Sequence, residues 1–452
     1  MIFAVFILFA ANLILRFNEY VPSMQEWPIV QIMIPILLVL WLFFVKKDFT
    51  FATDYLVPCF FVVVCIGYAV MIWAAGLSDV LRYLVPWVAV YFLAASIVNT
   101  PRKLDLFFGL MIVCGLAMVV HSAQQMWSYD GFSDESGVGF SGITVFQGRA
   151  RYAGVMNDPN DLALYFAMML PLALQLSVKG MKFGLTIIGL ILAAVLLYGI
   201  FLTNSRGGML AAGVVLTFYA HRRFGGMKGA VLCGLFIMAA ITFGPSRVRE
   251  QSESEESSTQ GRIEAWHEGL EVLKQYPLLG CGIGDFTPTY NPITAHNSFV
   301  LGFAETGFIG YVAWFGSGYY VLYAMHQMLK RTRPGTKSYR QASALFESLI
   351  AFYVAGFFLS RTYFILLPMF LGLAVGRFKL FKTELDNYLE SSPEVQSDAT
   401  DLSEREDQGD MQPDAEPLPD FSPKAILPSM PRLASYALFS IVGIWLIVRF
   451  KL

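Results

Sequence analysis

Three side chains that could act together on an anionic, hydroxyl-bearing substrate stand in polar stretches between apolar runs: Arg206, Arg262 and His296. Arg206 lies in Thr203-Asn204-Ser205-Arg206-Gly207-Gly208, at the junction of two hydrophobic segments. A guanidinium at the edge of hydrocarbon is costly and usually has an assigned partner. Its planar fork matches phosphate oxygens in pairs, which suits a diphosphate; the alternative is that Arg206 snorkels to lipid headgroups. Arg262 follows Gly261, and His296 stands in Ala295-His296-Asn297-Ser298 just before an apolar run. A histidine is often structural, but an imidazole titrating near pH 6.5 can take a proton from a sugar hydroxyl. Arg149 and Arg151, in Gly148-Arg149-Ala150-Arg151-Tyr152, add positive charge to the same region, and with Asn297 they are the substrate-binding candidates. The following Asn157-Asp158-Pro159-Asn160-Asp161 has the character of a helix N-cap.

Other candidates are weaker. His121 is near the end of a span and could line the same cleft, His267 lies on an amphipathic stretch, and His221 and His326 fall near basic connections. Gly280, Gly282 and Gly284 permit a tight turn after Pro277, but no P-loop Lys-Ser/Thr accompanies them and no strand precedes them. Asp285 has no spaced carboxylate partner, and Cys59, Cys65, Cys114, Cys233 and Cys281 form no CxxC pair. Neither a metal site nor a cofactor is expected.

The elements that must position these groups are membrane helices. The chain has 452 residues, 56% hydrophobic and 15% charged, against about 25% charged in an average soluble domain. A net charge of −2 gives no reason to expect nucleic acid. Window hydropathy predicts spans near 1–16, 28–45, 55–75, 81–98, 104–127, 160–178, 183–203, 207–220, 228–244, 299–328, 343–360 and 363–378, with one more at 433–449. The first carries no basic n-region, so it reads as a membrane helix and not a cleaved signal. Basic clusters at Lys46-Lys47, Arg102-Lys103, Lys179 with Lys182, His221-Arg222-Arg223 with Lys228, Lys330-Arg331 with Arg333, and Arg377 with Lys379 fall on alternate connections. That alternation places them in the cytoplasm and the loops 128–159 and 245–298 outside it. The expected fold is therefore an all-α polytopic bundle of about 12 transmembrane helices plus a C-terminal one.

Within the second outer loop, residues 262–275 carry an apolar stripe of Ile263, Trp266, Leu270 and Leu273, so they read as an amphipathic helix along the membrane surface. Residues 384–421 hold about thirteen Asp/Glu against one Arg, a disorder signature. The expected organisation is a membrane core over 1–378, an acidic cytoplasmic linker over 379–431 and an extra transmembrane helix over 432–452, whose orientation the flanking Arg432, Arg449 and Lys451 leave open.

Taken together, Asn204-Ser205-Arg206-Gly207-Gly208, Gly261-Arg262 with Trp266, Pro277-Leu278-Leu279-Gly280-Cys281-Gly282, Ala295-His296-Asn297 and Glu305-Thr306-Gly307-Phe308-Ile309-Gly310 resemble the O-antigen ligase and polymerase family of bacterial membrane glycosyltransferases. Arg151-Tyr152-Ala153-Gly154 with Asp158-Pro159-Asn160 looks like a further family element. The resemblance implies a GT-C-like fold with a large periplasmic loop in the bacterial inner membrane, and a glycan donor on undecaprenyl diphosphate. It implies His296 as the base on an acceptor hydroxyl of a polysaccharide or lipid, Arg206 and Arg262 as the diphosphate clamp, and a metal-independent reaction. Membrane lipids, and other envelope polysaccharide proteins, are the further partners it suggests. Two other readings of the same residues are a flippase of lipid-linked saccharide, for which Glu347 is the clearest mid-span ionisable group, and a protein O-oligosaccharyltransferase. A non-catalytic envelope scaffold is a third.

Overall fold

The computed structural model describes residues 1–20, 22–24, 27–71, 77–133, 135–139, 142–226, 228–229, 231, 234, 253–291, 294–391 and 429–450. Most of the span expected at 228–244, the start of the second outer loop and most of the acidic linker lie outside them. The helices are α1 (Ile2–Leu15), α2 (Ile29–Phe44), α3 (Thr53–Met71), α4 (Leu77–Ile97), α5 (Pro101–Trp127), α6 (Pro159–Leu174), α7 (Phe183–Thr203), α8 (Arg206–Phe224), α9 (Glu253–Gln275), α10 (Ser298–Arg331), α11 (Lys337–Gly356), α12 (Leu366–Ser391) and α13 (Met430–Phe450). No strand occurs among the described residues, only an isolated bridge between Phe146 and Arg149. Among the same residues six helices (α3, α4, α5, α7, α10 and α13) are long and apolar enough to cross a membrane, and α1 and α2 are shorter apolar helices. The rest of the bundle owes its place to packing. Every residue of α6 except Asn160 is buried, because α5, α7, α8 and α11 surround it. The helix expected to end near 378 runs on to Ser391, with Arg377 buried inside it.

The two ends of the bundle differ in charge. At one end Lys379 reaches Asp54 at 2.8 Å, Arg377 bonds Ser338, Lys337 pairs with Asp105 at 2.9 Å, and Gly335 abuts Lys179 beside Arg222 and Arg223. The basic clusters predicted on alternate connections thus gather at a common end. Arg149, Asp158, Arg206, His296 and Arg361 all occupy helix termini or connections at the other.

His296, and the helix α9 that carries Arg262, are held by a broken helix. Within α10, Gly307 adopts φ 62° and ψ −171°, a conformation essentially restricted to glycine. Backbone groups freed by the break bond the turn after α9: Phe308 N donates to Pro277 O at 2.8 Å, Ile309 N to Leu278 O at 3.3 Å, Cys281 N to Ala304 O at 3.0 Å and Gly282 N to Glu305 O at 3.1 Å. Gly284 N adds a bond to the buried Glu305 carboxylate at 2.9 Å. The Pro277–Gly284 turn is therefore a backbone clasp on Glu305-Thr306-Gly307. A buried peptide group left without a partner costs about 1–3 kcal/mol, and this clasp removes that cost.

The clasp also corrects the expectation for α9. Trp266 lies against Ala295, Gly269 against Val300 and Pro277 against Phe308, so α9 runs alongside the first segment of α10 in the same direction. Its buried residues, Ala265, Trp266, Leu270 and Val272, pack on other helices of the protein, while Ile263 and Leu273 are half-buried. An amphipathic stripe has the same pattern whichever apolar partner covers it.

Helix α13 packs antiparallel on the second segment of α10. Tyr320 Oη pairs with Ser429, Gly316 with Leu433, and Tyr311 Oη with Ser440 Oγ at 2.7 Å. Its N-terminus is thereby at the basic end and its C-terminus at the end of the candidate site.

Candidate functional site

Arg206 is placed by capping. Asn204 takes a left-handed conformation at φ 51° to end α7, and Ser205 Oγ accepts from Gly208 N at 3.3 Å to begin α8. Asn160 Oδ1 accepts from Ser205 Oγ at 2.8 Å and from Arg149 Nη2 at 2.7 Å, while Arg149 Nε donates to Thr203 O at 2.9 Å. This polar knot ties the starts of α6 and α8 together and presents Arg206, exposed, as the first residue of α8. The expected substrate-binding Arg149 is itself buried in the knot, and Arg151 donates to Thr144 O at 2.9 Å with its guanidinium over Phe146. Arg149 thus joins the ends of α7 and α6, and Arg151 binds its own loop.

His296 precedes the N-cap of α10. Asn297 Oδ1 accepts from Phe299 N at 2.9 Å and Val300 N at 3.2 Å. Its own Nδ2 is buried without a hydrogen bond. His296 has φ 47°, a left-handed backbone that turns its side chain away from the helix axis, and histidine is among the residues that enter this region more readily. A second connection braces the same point. Ser298 Oγ accepts from Arg361 N at 2.8 Å, Thr362 Oγ1 donates to Ser298 O at 2.7 Å, and Thr294 Oγ1 bonds Ser360 Oγ at 2.7 Å.

Arg206, Arg262 and His296 interact electrostatically. Burial and then the Arg206 charge lower the Arg262 pKa. Burial, then the Arg262 charge, hold His296 below its ordinary 6.5; Asp158 opposes this and Arg361 adds to it. The neutral imidazole, the form able to accept a proton, is thus favoured. Arg262 Nε is buried with no hydrogen-bond partner. Two like charges held together with an unpaired buried donor form a place an anion would stabilise.

Sequence reasoning missed Arg361 and Asp161. The Arg361 guanidinium bonds both carboxylate oxygens of buried Asp161, Nη2 to Oδ2 at 2.6 Å and Nε to Oδ1. The signal was present: Ser360-Arg361-Thr362 interrupts two apolar runs just as Asn204-Ser205-Arg206 does. With Tyr83, Asn157, Asp158 and Phe364 this pair lines a cavity of about 370 Å³. His121 does not face it; His121 is fully buried, with its ring edge-on to Tyr152 at 4.8 Å. Cys281 is buried, which pushes its thiol up and leaves no thiolate nucleophile. Glu347 is paired with Arg222. Among the described residues no three His, Cys, Asp or Glu side chains are grouped as a metal site.

Fold and site define a helical membrane protein whose one end brings two arginines and a histidine together. Residues 191–315 match the family model described as O-Antigen ligase, which supports the O-antigen ligase and polymerase family for this chain. The matched segment contains Arg206, Arg262, His296 and the Gly307 break, but not Asp158, Asp161 or Arg361. No curated protein matches the sequence.

Proposed function

We propose that the protein transfers a glycan from an undecaprenyl-diphosphate-linked donor to an acceptor hydroxyl at the periplasmic face of the inner membrane, as a surface-polysaccharide polymerase or O-antigen ligase. The observation that carries this reading is the unpaired, buried Arg262 Nε beside the Arg206 charge and next to His296. In the proposed step His296 takes the acceptor hydroxyl proton, the oxygen attacks the anomeric carbon, and the bond from that carbon to the diphosphate oxygen breaks. The diphosphate leaves with the bonding electrons, and its charge is met by Arg206 and Arg262, as preorganised donors meet charge developing in a transition state. The imidazolium then returns its proton to water. This chemistry needs no metal, because the arginines supply the positive charge.

The gathering of basic clusters at the opposite end supports an exterior site, since cytoplasmic connections carry the Lys/Arg excess. If the span expected from hydropathy at 228–244, which lies mostly outside the described residues, is counted with α1 to α8 and α10 to α12, twelve transmembrane segments precede α13, in a GT-C-like arrangement. The flippase reading loses its main support, because Glu347 is neutralised by Arg222 and is distant in the fold from His296.

The test is glycan transfer by the purified chain with His296→Ala. A general base contributes about 10²–10⁴-fold, so transfer should fall by that order while undecaprenyl diphosphate still binds. Transfer at the wild-type rate would overturn the proposal.

A further inference from the structure

The cavity beside His296 carries the opposite charge from the arginine pair, and nothing above gives it a task. Its polar wall holds two carboxylates, Asp158 and Asp161, against one guanidinium, Arg361. That guanidinium is already committed: its Nε and Nη2 bond Asp161, and its Nη1 donates to Ser360 O at 3.2 Å. An anion entering here would meet surplus negative charge and a cation already paired. A phosphate or an acidic sugar is therefore disfavoured. Besides Gly154 and Val155, the remaining wall offers the amide of exposed Asn157 and the aromatic rings of Tyr83 and Phe364. Hydroxyl groups can donate to a carboxylate and accept from an amide, and aromatic rings cover the apolar face of a sugar ring. The volume of about 370 Å³ is near the lower end of small-molecule sites, which span about 300–1,000 Å³. That suits a single terminal sugar and not a long glycan.

We infer that this cavity is the acceptor subsite, where Asn157, Asp158 and the Asp161–Arg361 pair seat the neutral or N-acetylated terminal sugar whose hydroxyl faces His296. It rests on the transferase reading above and adds a division of the site by charge. Donor diphosphate occupies the positive lobe at Arg206 and Arg262; the hydroxyl-rich acceptor occupies the negative lobe, with His296 between. His296 senses both sides, for Arg262 and Asp158 act on it in opposite directions. The lobe at Asp158 would also favour the imidazolium formed when the acceptor proton arrives. Specificity for the acceptor then lies in residues outside the segment 191–315.

The test uses the full chain in detergent, with methyl glycosides of neutral hexoses, N-acetylhexosamines and hexuronates as probes in saturation-transfer NMR. Undecaprenyl diphosphate binding is followed in parallel. Asn157→Leu alters an exposed side chain, and Asp158→Asn keeps an N-cap of equal quality for α6 while removing the charge. Both variants should weaken the neutral or N-acetylated glycosides about tenfold or more, a loss of roughly 1.4 kcal/mol, and leave diphosphate binding as in the wild type. Preferential binding of the hexuronate, no glycoside binding, equal binding by wild type and variants, or joint loss of diphosphate binding would each overturn the inference. The two proposals separate cleanly. Sugar binding that behaves as expected in a chain without transfer activity sinks the transferase reading alone. Transfer that depends on His296, with an acceptor KM indifferent to Asn157→Leu, sinks the subsite alone.

Discussion

Replacing Gly307 by alanine tests whether the clasp holds the site together. A Cβ at Gly307 would lie 2.4 Å from Leu278 C and O and from Leu279 N, all backbone atoms that cannot swing aside as a side chain would. Alanine would also be forced into a φ of 62° with ψ −171°, which costs of order 1–3 kcal/mol by itself. To relieve the clash the turn must move off α10. That breaks the bonds from Phe308 N to Pro277 O and Ile309 N to Leu278 O. Each is worth about 1 kcal/mol net, and more when the groups remain buried. The sum is roughly 3–5 kcal/mol, in the range reserved for severe lesions. Gly280→Ala meets Glu305 C at 2.4 Å from the other side and should cost a similar amount. The double variant should cost clearly less than the sum, since both open one interface. Gly109→Ala is the control: nothing lies within 4 Å of its Cβ, and alanine in a helix is favoured over glycine by about 1 kcal/mol. Thermal unfolding of the solubilised chain reads all four. Gly307→Ala as stable as Gly109→Ala would refute the clasp.

Three further outcomes follow from the geometry. His296 works as a base only when neutral and its pKa is held below 6.5, so kcat/KM should be flat through neutral pH and fall as pH drops through that depressed value; Arg262→Ala removes a lowering charge and should move the fall to higher pH, which a pH–rate profile or an imidazole NMR titration would detect. Arg222→Ala leaves Glu347 buried and unpaired, at a cost of about 3–5 kcal/mol; Arg222→Met with Glu347→Leu should recover much of it in denaturation experiments, and no recovery would contradict a purely structural pair. A cysteine added after Leu452 should react with an impermeant thiol reagent from the same side as one at the exposed Leu278, because α13 is antiparallel to α10; labelling from the basic end would reverse that assignment.

Polar interruptions of apolar runs made Arg206, Arg262 and His296 legible in the sequence, because a charge in such a place is expensive enough to imply a purpose. Arg361 carries the same mark, but Ser360-Arg361-Thr362 is so short an interruption that window hydropathy does not set it apart as a loop. Arg149 looked equivalent to Arg206, yet its guanidinium is consumed by Thr203 O and Asn160. Hydrogen-bond partners 54 and 11 residues away leave no trace in a local pattern.

Composition and the alternation of basic clusters by themselves point to a helical membrane bundle whose polar interruptions lie at the end away from those clusters. Both follow from the cost of putting charge into hydrocarbon, which each segment meets alone. Only the tertiary structure decided that the glycine turn clasps a broken helix, that α9 packs on α10, that α13 runs antiparallel to it, and that Asp158, Asp161 and Arg361 line one cavity. Those facts depend on which distant segments share one surface, and an apolar stripe or a lone carboxylate is compatible with many partners until packing selects one.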